Sequence, residues 1–168
     1  MKKTSWVLLS LFLVFTFYCE AQEETSNSKL KRKAPRKFKL AIDTVSETEK
    51  KSAYDLAYQT FTNCETYDFP ILTTKIATEW LIKFWKEEKS KVIETCDKYN
   101  STHGTLVKLN LSEILYDKTG YKYYRFKATF SKNQKIAEIR VYTNSKNKLD
   151  GIIIKPIWKN DYSEYNED

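Results

Sequence analysis

From Thr105 the apolar residues recur at every second position over three successive segments, and this alternation constrains the fold more than any other feature of the chain. Val107, Leu109, Leu111, Glu113 and Leu115 share one face of a first strand. Tyr124, Phe126, Ala128 and Phe130 mark a second, and Ala137, Ile139 and Val141 a third. Ile152, Ile153, Ile154, Ile157 and Trp158 form a fourth, apolar on both sides, with Pro156 marking its end or an edge. The turns are Asp117-Lys118-Thr119-Gly120 and Lys132-Asn133. Pairing Tyr116 with Tyr121 sets Leu111 opposite Phe126 and Leu109 opposite Ala128. Pairing Phe130 with Lys135 sets Phe126 opposite Ile139 and Tyr124 opposite Val141. Both turns keep one apolar face continuous, and a slip by one residue would put it in water. An antiparallel meander follows.

Upstream the period is helical. Ser46-Glu47-Thr48-Glu49 fits a capping box, and Tyr54, Ala57, Tyr58 and Phe61 follow at helical spacing, predicting a helix over 46–63. Thr73 or Thr74 caps a second helical stretch, 73–99, which is one helix or two with a bend. Asn100-Ser101-Thr102-His103-Gly104 ends it, with Gly104 suited to a left-handed exit. The expected fold class is α+β: two or three N-terminal helices packed on a curved four-stranded antiparallel meander sheet, spanning 44–158.

Before that domain, Met1-Lys2-Lys3 and the apolar run Trp6–Tyr18 end in Cys19-Glu20-Ala21, the pattern of a signal peptide over 1–21. The run is too short to span a bilayer, and no second apolar stretch reaches 18 residues, so no transmembrane segment is expected after cleavage. Lipidation at Cys19 is the alternative, disfavoured by the bulky Tyr18 before it. The expected location is exported, periplasmic or extracellular. Residues 22–43 read as a flexible basic arm, with Lys29, Lys31, Arg32, Lys33, Arg36, Lys37 and Lys39 available to an anionic surface. Export disfavours nucleic acid as its partner. Residues 159–168 read as an acidic disordered tail. After cleavage Cys64 and Cys96 remain, either bridged or packed as two buried thiols.

The order of helices then curled sheet, with Thr78-Glu79-Trp80-Leu81, Gly104 opening the sheet, and Lys148-Leu149-Asp150-Gly151-Ile152-Ile153-Ile154-Lys155-Pro156-Ile157-Trp158 closing it, resembles the cystatin-like or nuclear transport factor two-like α+β cone. The closing segment is similar to that of small exported bacterial domains of unknown function, and the Lys- and Asn-rich usage with the Ala21-Gln22 end resembles secreted proteins of flavobacteria. The resemblance implies the fold. It leaves function open, because cones of this type host enzymes, ligand binders and interaction modules.

Chemistry is sparse. One His, three Gly and no His/Cys cluster argue against zinc sites and phosphate-binding loops, and no cofactor is expected. His103 suits a helix C-terminus, and a catalytic role would lean on Cys96 or Asp97. Glu113, placed by the register on the apolar side beside Tyr124, is the weak catalytic candidate together with that tyrosine: burial would raise its pKa. Alternatively Glu113 meets Lys122 at the rim, or a bulge turns it outward. A pocket for such an interior site would be bounded by Trp80, Phe84, Tyr124 and Phe126. The opposite face carries Ile114, Tyr116, Tyr121, Tyr123, Arg125, Lys127, Arg140 and Tyr142. Tyr123 opposes Tyr142, Arg125 opposes Arg140 and Lys127 opposes Glu138. Facing arginines repel unless something neutralises them. Tyr121, Tyr123, Arg125, Arg140 and Tyr142 are therefore the candidate contact for a protein partner or a homodimer. The expected function is an exported, non-catalytic binding module. The alternative is a cone-interior ligand binder or enzyme.

Overall fold

A computed structural model describes residues 37–160. Strand β1 (Lys37–Leu40) and a short 3-10 turn (Ile42–Thr44) precede three helices, α1 (Glu47–Thr62), α2 (Glu79–Glu87) and α3 (Lys89–His103). Four strands follow: β2 (Leu106–Asp117), β3 (Lys122–Phe130), β4 (Asn133–Thr143) and β5 (Leu149–Lys155). All pair antiparallel in the order β1-β2-β3-β4-β5. The class is α+β, with five strands rather than four.

The added strand lies inside the stretch read as a flexible arm. Lys-Phe-Lys-Leu alternates, so Phe38 and Leu40 turn toward the helical side, where Phe38 meets Tyr116 and Leu40 packs on the core. Lys37 and Lys39 turn the other way. Lys37 sets its ammonium 3.8 Å from the Tyr123 ring centre and Lys39 reaches Glu113 at 3.4 Å. Lys29, Lys31, Arg32, Lys33 and Arg36 of that arm lie outside the described residues, as do the leader with Cys19 and residues 161–168 of the tail.

Helix α1 begins at Ser46, whose hydroxyl accepts the Glu49 amide at 3.2 Å. The second half of the capping box is not made. The Glu49 carboxylate instead takes the Lys122 ammonium and the Tyr124 hydroxyl, pinning the first turn of α1 to the start of β3. The buried stripe is Ala53, Leu56, Ala57, Thr60 and Phe61, with Tyr58 left exposed. The second helical stretch is two helices, bent at Glu88. Its cap is Thr78, accepting Leu81 N at 3.3 Å, in place of Thr73 or Thr74. Gly104 ends α3 at φ +79°. A Cβ there would overlap Ser131 Oγ, so both the angle and the space require glycine.

Cys64 and Cys96 form a disulfide, with Cα atoms 5.1 Å apart, joining the segment after α1 to the middle of α3. The core between helices and sheet holds Leu56, Phe61, Leu81, Leu109, Ile114, Tyr124, Phe126, Phe130, Ile139 and Val141 among others. The predicted pairs Leu111 with Phe126, Leu109 with Ala128, Phe126 with Ile139 and Tyr124 with Val141 all occur. Phe130 pairs with Asn133 rather than Lys135, because the ladder slips between Ala128 and Phe130. Among the described residues no helix is long and apolar enough to cross a membrane.

Candidate functional site

A bulge decides the fate of the sequence-predicted sites. On β2 the step from Leu111 to Glu113 spans a single step on β3, from Phe126 to Arg125, so Ser112 is the extra residue. Beyond it every side chain changes face. Ile114, expected outward, is wholly buried among the core residues opposite Tyr124. Tyr116 moves to the helical-side rim against Lys122 and Phe38. Glu113 turns to the far face opposite Arg125 and forms an ion pair with it. Glu113 and Tyr124 therefore lie on opposite faces of the sheet and make no common site. The bulge reading of Glu113 is the one that holds, and its interior role is withdrawn. Tyr124 is buried, and its hydroxyl, bonded to Glu49 at 3.0 Å, is held well above the usual phenol range by burial and by that carboxylate. Phe126 is fully packed and Trp80 is exposed, so the four side chains expected to bound an interior pocket do not enclose one.

The far face is equally changed. Tyr123 opposes Tyr142 and Arg125 opposes Arg140, as the alternation requires. Yet Arg125 is 0% exposed, Arg140 3% and Glu138 1%. Arg125 binds Glu138 in a fork, Nε to Oε1 and Nη2 to Oε2, both 3.0 Å. Arg140 Nε reaches Glu138 Oε1 at 2.8 Å. The chain after β5 crosses this face: the Trp158 amide donates to Ile136 O at 2.7 Å, its ring lies 4.1 Å from the Arg125 guanidinium carbon, and Lys159 O accepts Arg125 Nη2 at 2.8 Å. Tyr123 is buried, with its hydroxyl on Asp117 at 2.7 Å. Tyr121 and Tyr142 are half-buried, Tyr121 bonded to Asp150 in a contact that raises its pKa. The expected open contact face is a buried ion network. Alternation placed Tyr123, Arg125, Arg140 and Tyr142 on this face correctly, while the bulge took Ile114 and Tyr116 off it. It could not show that the chain's own Trp158–Asn160 segment returns over them.

Of the two residues a catalytic His103 would lean on, Cys96 is bonded to Cys64 and the Asp97 carboxylate accepts the Tyr67 hydroxyl at 2.8 Å. Asn133 Nδ2 sits 2.6 Å from His103 Nδ1, which ties the ring to the start of β4.

What the sequence reading missed is the groove along β5. Residues 76–78 bridge to Leu149 (Thr78 N to Leu149 O and Leu149 N to Ile76 O, each 2.9 Å) and close the first end of that edge. From Gly151 to Lys155 the outer edge has no strand partner among the described residues. Two adjoining compartments separate it from α3. The first, of about 120 Å³, is walled by Phe61, Phe84, Trp85, Val92 and Cys96. The second, of about 540 Å³, is walled by Lys98, Tyr99, His103 and Pro156. Ile152, Ile153 and Ile154 floor both. Burial raises the Tyr99 hydroxyl pKa, so the wall it forms stays neutral. The sequence signal was available: a strand apolar on both sides at the end of a meander needs cover on both faces. In comparisons with protein-family models, curated proteins and solved structures, nothing matches the chain.

Proposed function

We propose that the chain is an exported, non-catalytic binding module of the α+β cone type, and that its binding site is the groove between α3 and the outer edge of β5. The occupant is an extended segment of a protein partner, added as a sixth strand. One observation carries the reading: a strand edge with no strand partner among the described residues runs directly beside an apolar trough. Such an edge offers backbone donors and acceptors at fixed spacing, while the trough takes alternate side chains of the added strand. A small apolar ligand would use the trough and leave the edge unpaired. The leader pattern and the Cys64–Cys96 bridge support export, since disulfides persist in oxidising compartments.

A capped peptide alternating valine and threonine tests the reading by nuclear magnetic resonance. Backbone amide shifts should change at Gly151–Lys155 and along the groove side of α3. The same peptide with N-methylated amides should leave them unchanged, because it cannot complete the ladder. Equal shifts from both peptides, or shifts confined to other surfaces, would overturn strand addition.

A further inference from the structure

We infer that the groove selects, within such a segment, an apolar side chain followed or preceded at two positions by an acidic one; this rests on the strand-addition reading above. The two compartments share the floor Ile152–Ile154, and their α3 walls follow one another along the helix, Val92 and Cys96 in the first, Lys98 to His103 in the second. Side chains on one face of an added strand recur every second residue, about 7 Å apart, so residues two apart are the nearest pair that adjoining compartments could take.

The first compartment is apolar apart from Thr60, Thr95 and Lys91 at its margin, and the Lys91 ammonium is held by Glu88 at 3.0 Å. It suits a valine- to leucine-sized side chain. The second compartment differs in charge. Lys98 and His103 line it, and neither compartment includes an Asp or Glu in its walls. Lys98 has no carboxylate within 4.0 Å among the described residues, and its neighbour Asp97 is engaged by Tyr67. A carboxylate arriving there would meet Lys98 and the neutral hydroxyls of Tyr99 and Thr102.

Three capped peptides of equal length test this, each with one valine and, two positions on, a glutamate, glutamine or lysine; reversed-order versions cover the opposite strand direction. Titrated into the full chain at about 50 mM salt, where surface charges still interact, the glutamate peptide should bind about fivefold more tightly than the glutamine one and the lysine peptide most weakly. In Lys98→Glu the glutamate and lysine peptides should exchange rank, with the perturbed amides still at Gly151–Lys155. Equal affinity for the three peptides at β5 would overturn the acidic preference and leave strand addition standing. An unchanged glutamate preference in Lys98→Glu would also overturn it. Failure of every peptide to perturb β5 would overturn both.

Discussion

Arg125 and Arg140 stand directly opposite each other on β3 and β4, and Glu138, the diagonal neighbour of Arg125, binds both. Two like charges in register repel. Here the repulsion is cancelled inside the protein, with Glu113 supplying a second carboxylate to Arg125. Replacing one member of a buried ion network leaves an uncompensated charge, which costs about 3–5 kcal/mol. Glu138→Gln and Arg125→Ala should each lower unfolding free energy by about that amount in urea titrations. A loss below about 1 kcal/mol would mean the cluster is solvated after all.

Asp117 gives the chain a pH signature. Burial pushes its pKa up, but bonds from the Thr119 and Tyr123 hydroxyls and the Thr119 and Tyr121 amides outweigh that and hold it below the usual carboxylate value. A depressed folded pKa contributes stability that is fully present above the unfolded value, about 3.9. That contribution is lost as pH falls through the folded value. Asp117→Asn should therefore be less stable than wild type at pH 7, by about 2 kcal/mol for charge-assisted bonds. The gap should narrow as the pH drops below about 4. A gap that stays constant from pH 7 to pH 2 would contradict this account.

The Cys64–Cys96 bridge spans a sequence separation of 32. Closing a loop of that size restrains the unfolded chain by about 3–4 kcal/mol in the chain-entropy model. The double variant Cys64→Ala/Cys96→Ala should fall in stability by about 3 kcal/mol. Dithiothreitol should lower the melting temperature of wild type and leave the variant unmoved.

Gly104→Ala should be among the most damaging single-methyl additions. The new Cβ would lie 2.9 Å from the Lys132 amide nitrogen as well as against Ser131, at a φ that disfavours side chains. We expect a loss of at least about 2 kcal/mol, from strain and steric overlap together. Gly151→Ala, whose Cβ would meet only Tyr142 at 3.4 Å without a positive φ, should cost less and serves as the control in the same thermal melt.

The meander was legible because a period of two is a local property, and the two turns agreed on one apolar face. The Ser46 cap and Gly104 exit were legible for the same reason: each needs only its own few residues. The Thr78 cap was missed because Thr73 and Thr74 have the same capping chemistry, and only the contact of residues 76–78 with Leu149 selects among them. Strand β1 was hidden by its lysines, although Lys-Phe-Lys-Leu carried the alternation. For Glu113 the sequence offered both faces, and nothing in the residues around Ser112 announces which one wins.

By itself, then, the order of residues determined the strand and helix periods, the pairing partners in the centre of the sheet, and the two cysteines available to bridge. Three-dimensional packing alone decided the bulge at Ser112, the return of Trp158–Asn160 over Arg125, and the trough beside β5. The physical reason is range. A side-chain period is set within a few neighbouring residues. A bulge depends instead on whether Ile114 or Glu113 enters the core between helices and sheet, and burial of an arginine depends on a segment more than thirty positions away arriving to cover it.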